Sequence, residues 1–282
     1  PAGGAGKGAG LMKSHYHSHQ GQGLLSQFWQ SLRQPDYWAY SSWLEIATKY
    51  RRTSLGLLWL VLPTLVFVIV LGNVYSHLMG YELSEYMPYL AVGYITWRFM
   101  LQVINDASGA FVTHKAFIME GRIRLTDFIL VSFSKAAFHL FFGALVAGGV
   151  MLWSPAIDLS AAWTLLLSLP VLLANLGWVA VCVALVGARF RDTPELIGTV
   201  LVVGFLLTPI LWMVERFPPD TLRGAFVRVN PAFHLIDVVR TPLLGGAPEP
   251  VSIVVVCVMA LLGWLFTAWL FRRISRFVPI WV

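Results

Sequence analysis

His234, Asp237 and Arg240 recur every three residues. On a helix that spacing gathers an imidazole, a carboxylate and a guanidinium on one face. Such a set could move a proton or hold an anion, or it could be a polar stripe turned to water. Arg98 is the other conspicuous charge, standing alone between Glu85 and Asp106. His15, His17 and His19 alternate and could hold a metal weakly, unless they belong to a solvated tail. The stretch GGAGKG, Gly3 to Gly8, has the composition of a phosphate loop. It lacks the first glycine at the right spacing, the Ser or Thr after Lys7 and a preceding strand, so it is rejected as an ATP site. Cys182 and Cys257 each lie inside an apolar run, and two such residues give neither a disulfide framework nor a metal spacing.

The elements that must position these residues are apolar. Of 282 residues, 57% are hydrophobic and only 12% charged. A soluble domain carries about 25% charged residues. The charges that remain are clustered and separate long uncharged runs, each long enough for the roughly 20 residues a helical span needs. The runs are too long for strands and do not alternate apolar with polar. They predict an all-α integral membrane protein with six spans, near 55–77, 88–108, 136–154, 162–187, 196–214 and 251–271. Spans three and four should form a hairpin turning at Ser154 and Pro155, with Asp158 exposed. Residues 1–34 read as a flexible tail, leaving 35–282 as one transmembrane domain.

Basic residues orient the spans. Fifteen Lys and Arg fall on the side of the termini, four fall on the other side, and Arg98 lies within a span. Both termini are therefore expected in the cytoplasm. The net charge of +6 follows from this asymmetry and does not call for nucleic acid. From Pro35 to Tyr50, Tyr40, Trp43, Leu44, Ala47 and Tyr50 recur at helical spacing, with Glu45 and Lys49 off that stripe. This predicts an amphipathic helix lying in the membrane interface, or a helix packed on a partner subunit. In the last outer loop, Asn230 suits an N-cap and Pro231 the first helical position. Two short helices joined there, the second stopping before Pro242, could dip into the outer leaflet as a re-entrant gate.

The stretch KYRRTSLGLLW, Lys49 to Trp59, followed by Pro63 within the first span, resembles the start of the membrane subunit of type-2 ABC exporters of the polysaccharide and polyol-phosphate group. Gly93 to Trp97, Arg191-Asp192, Thr208-Pro209-Ile210 and Asn230-Pro231 with Arg240 follow in the family's order. The resemblance covers residues 40–282. It implies a permease without its own ATP site, acting as half of a pore with a second copy of itself. ATP and Mg would be bound by a separate nucleotide-binding subunit, and this chain would hold no cofactor. The implied cargo is an O-antigen, capsule or teichoic acid glycan on a polyprenyl pyrophosphate, exported across a bacterial inner membrane. By the same resemblance, the interface helix and the cytoplasmic loop 111–134 would contact the ATPase, through Glu45, Lys49, Arg51, Arg122 and Arg124.

Within the spans, an arginine must face protein or water, since it costs about 3 kcal/mol at a helix centre on insertion scales. Arg98 is expected either on the transport path or at the dimer interface, attracting the phosphate of a lipid carrier, or in an internal pair or cation–π contact. Phe67, Trp97 and Trp178 lie too deep for belt anchoring. They could stack on sugar rings in the path or simply pack helices. Asn230, Pro231, His234 and Arg240 are the candidate gate residues. A drug or lipid exporter keeps the same fold. A membrane-embedded glycosyl- or acyltransferase would need acids and histidines gathered at one face, whereas His77, His114, His139 and His234 are scattered. An ion-coupled transporter would need mid-span carboxylates and inverted repeats, and neither is visible.

Overall fold

The computed structural model describes residues 23–51, 53–155 and 159–282. The GGAGKG stretch, the alternating histidines and Asp158 lie outside them. Among the described residues there are twelve α-helices, three short 3-10 turns and no strand. The helices are α1 Leu24–Arg33, α2 Asp36–Arg51, α3 Leu58–Met79, α4 Leu83–Thr113, α5 Lys115–Glu120 and α6 Leu125–Trp153. They continue with α7 Leu165–Arg189, α8 Thr193–Leu207, α9 Leu222–Val229, α10 Pro231–Leu243, α11 Pro250–Ile274 and α12 Val278–Trp281.

Four stretches are long and apolar enough to cross a bilayer: Leu58–Met79, Leu125–Trp153, Ala162–Arg189 and Pro250–Trp281. The other two expected spans take a different form. In place of 88–108 stands α4, which has 31 residues and carries Glu85, Arg98 and Asp106. Glu85 is exposed near its start, Arg98 bonds Thr64 of α3 and Asp106 pairs with Lys135 of α6, in a helix packed along α6 and α7 and touching α3, α8 and α10. In place of 196–214 stands α8, which has 15 residues. It ends at Thr208, whose extended backbone is what a residue before proline prefers, and Pro209 cannot continue the helix.

One further expectation is corrected. Residues 24–33, assigned to a flexible tail, form α1, held to α6 by a 2.7 Å hydroxyl bond between Ser31 and Thr126. Segment 111–134 is mostly helical, and α6 begins eleven residues before the expected span. Asp127 accepts from the Arg124 N–H at 3.2 Å and closes a capping box at the helix start.

Close helix contacts are made through glycine. At Gly187 of α7, an added Cβ would lie 1.8 Å from Ser108 O of α4, so only glycine allows this approach. Between α7 and α11 the contact is reciprocal: Trp178 lies over Gly263, and Trp264 over Gly177. The exposed sides of α3, α7, α8 and α11 are rich in Leu, Val and Phe. Such surfaces suit a hydrocarbon solvent.

Candidate functional site

Three helices bring an aromatic group together. Phe67 of α3 stacks on Tyr94 of α4, with ring centroids 3.6 Å apart and planes within 6°. Phe205 of α8 approaches both edge-on, at 6.1 Å and 6.4 Å. Trp97, one turn along α4 and buried, lies 6.0 Å from Phe205. Gly204 sits against the Trp97 ring, which lets α8 come close. Phe67, Tyr94 and Phe205 keep part of their surface open.

Arg98 borders this group. Its Nη1 donates to Thr64 Oγ1 of α3 at 3.0 Å, and its guanidinium carbon lies 5.8 Å from the Tyr94 ring centre. It is partly exposed. The arginine is thus held by a hydroxyl and a ring, and no carboxylate among the described residues forms an ion pair with it. A partly open cation beside aromatic faces can receive a phosphate. The structure therefore brings Phe67, Trp97 and Arg98 together. Trp178 stands apart: it packs on Gly263 and donates to Asn175 Oδ1 at 3.3 Å.

The second group surrounds α10. His234, Asp237 and Arg240 are 1, 4 and 2% exposed, which corrects the solvated stripe. They do not act as one set, because each is directed to a different partner. The His234 Nε2 faces Arg228 O at 2.8 Å, so it donates there, and Nδ1 accepts from Ser252 Oγ at 2.9 Å. Asp237 accepts from Thr241 Oγ1 at 2.6 Å and from the Glu249 N–H at 3.1 Å, fixing the start of α11. Arg240 donates from Nη1 to Pro209 O at 2.7 Å and lies 3.8 Å over the Tyr89 ring. Asn230 caps α10 by accepting from the Ala232 N–H at 3.0 Å, and Pro231 is its first residue. The Asn230 amide also donates to Thr208 Oγ1 at 2.9 Å. The second short helix runs through Pro242 to Leu243 and does not stop before it.

Sequence reasoning missed what these contacts serve. The backbone from Thr208 to Met213 is not helical, so its carbonyls need other donors. Arg240 and the Tyr89 hydroxyl reach Pro209 O, the Tyr86 hydroxyl reaches Leu211 O at 2.7 Å, and Tyr89 also reaches Trp212 O at 3.1 Å. Tyr86 precedes the expected span 88–108 and Tyr89 lies at its start, and neither stands out by type. Their i, i+3 spacing on α4 was the available signal.

The third group lies at the other end of α4 and α6. Glu45 of α2 accepts from Lys135 Nζ at 2.9 Å, and Lys135 also pairs with Asp106 of α4 at 3.1 Å. The second Glu45 oxygen lies 3.4 Å from His114 Nε2. The His114 bond and the Lys135 charge hold the Glu45 carboxyl down to about 2, against the opposing effect of burial. Glu45 thus ties α2 to the bundle, whereas Lys49, Arg51 and Arg122 are exposed. Arg124 is turned inward, bonded to Gln34 and paired with Asp127 at 3.8 Å. A polar cavity of about 180 Å³ adjoins this group, lined by Asn105, Asp106, Ser132 and Lys135 among others. No group of three or more metal-ligating side chains occurs among the described residues.

Comparison with protein families matches residues 38–244 to the ABC-2 type transporters. The chain belongs to this family. It is a multi-pass membrane protein and the permease component of an ABC transporter, with ATP hydrolysis carried out by a separate ATPase subunit. No curated protein matches it. The matched region runs from within α2 through α10, so it contains the aromatic group with Arg98, the α10 residues His234, Asp237 and Arg240, and Glu45, Asp106, His114 and Lys135.

Proposed function

We propose that this permease is one half of a homodimeric exporter that moves a polyprenyl-pyrophosphate-linked polysaccharide, of the O-antigen type, out through a bacterial inner membrane. The observation that carries this reading is the aromatic group of Phe67, Tyr94, Trp97 and Phe205 with Arg98 at its border. Sugar rings slide over aromatic faces without tight directional bonds. A lone, incompletely neutralised arginine suits the phosphate that links glycan to lipid. In this reading α4 and α8 complete six spans, and both termini are cytoplasmic. Helices α9 and α10 form the outer gate through Asn230, Pro231, His234 and Arg240. The ATPase, with its ATP and Mg, docks beside Lys49, Arg51 and Arg122, and Glu45 carries its movement to α4 and α6.

The test is substitution within the group. Arg98→Ala and Phe67→Ala should insert and assemble with the ATPase yet lower glycan export about tenfold or more, a loss of about 1.4 kcal/mol of path stabilisation. Normal export by both would reject the proposed path. A drug or lipid exporter is the second reading, favoured by an apolar groove of about 390 Å³ lined by Val61, Leu65, Met87 and Leu145 among others. Export of a drug with no effect on lipid-linked glycan would select it.

A further inference from the structure

Helix α1 has its polarity reversed for a protein surrounded by water. Gln27 and Ser31 are buried, while Leu25, Trp29 and Leu32 are 63, 58 and 53% exposed. Residues spaced by four and three lie on one face, so these three make a continuous apolar edge. The opposite face is fixed to the bundle. Leu24 enters the main core, and Ser31 bonds Thr126 of α6. Phe28 meets Trp264 of α11 edge-on at 5.3 Å. Trp264 lies eight residues before Arg272, hence about 12 Å inside the basic end of that span at 1.5 Å per residue. The other end of α1 carries the exposed Arg33, whose guanidinium lies 4.7 Å over the Trp29 ring.

We infer that α1 is a lipid-contact helix, set against the acyl chains of the leaflet at the basic end of α11, with Arg33 at the phosphates. Depth argues for this occupant, because the Phe28 contact lies beside a span that itself exposes Leu261, Leu262, Leu265 and Phe266. Charge argues for it as well. An arginine at the outer end of an apolar edge, folded over a tryptophan, is placed to reach headgroups while its stem stays in the apolar layer. The inference requires α11 to span a membrane. It does not require a glycan cargo or cytoplasmic termini.

The experiment uses the full chain in phosphatidylcholine–phosphatidylglycerol vesicles. Cys182 and Cys257 are replaced by Ala, and an environment-sensitive fluorophore is placed on Leu25→Cys, Leu32→Cys or, as an aqueous reference, Lys49→Cys. Leu25 and Leu32 are more than half exposed and lie outside the buried core, so the labels attach at the surface. Nitroxide carried on the lipid acyl chain should quench the label at Leu25 and Leu32 at least about twofold more than at Lys49, with little quenching by iodide. Iodide quenching at Leu25 and Leu32 would place α1 in water and overturn the inference. Protection from both quenchers would put protein over the edge, a second copy or a partner, and would overturn it equally. Reversed orientation of the chain leaves acyl-chain quenching unchanged and shows instead as exposure of terminal tags on the other side.

Discussion

Arg240 donates to a carbonyl that no helix satisfies and lies on the Tyr89 ring, with almost no access to solvent. Arg240→Ala should therefore destabilise the folded chain by about 2–4 kcal/mol, from a lost charged hydrogen bond, a cavity and a Pro209 carbonyl left with only the 3.2 Å Tyr89 hydroxyl. Unfolding of purified chain in mixed micelles measures this, and a change under about 0.5 kcal/mol would contradict the contact's role. Glu45 supplies a pH test. Its carboxyl is lowered from 4.5 to about 2, so its contribution is present above 4.5 and is lost as pH falls from there through about 2. Hydrogen exchange over Asp36–Arg51 should rise through that window, and Glu45→Gln should remove the step. At this scale the sequence showed residue types and spacing but not surroundings. The three-residue repeat of His234, Asp237 and Arg240 placed them on one helix. Their partners Ser252, the Glu249 N–H and Pro209 O come from other segments, which periodicity cannot reveal.

Helix α4 explains why some elements were legible and others were not. Its apolar run was visible, but its ends extend five residues beyond the expected span on either side, through the more exposed, partly polar turns Leu83–Glu85 and Val112–Thr113, which hydropathy does not count as span. Tracts such as α3 and α11, which face lipid, appear within a few residues of their expected bounds, since hydropathy reports contact with hydrocarbon directly. The start of α10 was readable from Asn230 and Pro231, because capping is a local interaction. Helix α1 was missed because its exposed edge is apolar and its inner face mixes Leu24 and Phe28 with Gln27 and Ser31, which in a short segment resembles no core helix. The α4–α7 contact gives a test at this scale. Gly187→Ala places a methyl carbon where Ser108 O lies, so the helices must separate. The expected cost is about 1–3 kcal/mol, read as a lowered Tm of the purified protein, whereas Gly198→Ala, with open space around it, should change little.

Across the whole molecule, three groups of residues occupy different levels of one bundle, and α4 runs through all of them. Tyr86 and Tyr89 hold the broken segment after α8, Tyr94 and Trp97 enter the aromatic group, and Asp106 and His114 meet Lys135 and Glu45. A displacement of α2 by a docked ATPase would thus reach the aromatic group through a single rigid helix. The measurement that tests this account most directly is transport by the chain with its ATPase subunit in inverted membrane vesicles loaded with polyprenyl-linked glycan. ATP should move the glycan into the vesicle lumen, beyond the reach of an added glycosidase, and a catalytically dead ATPase should abolish that protection. Glycan that stays equally digestible with and without ATP, in vesicles whose ATPase is active and bound to the chain, would contradict the account.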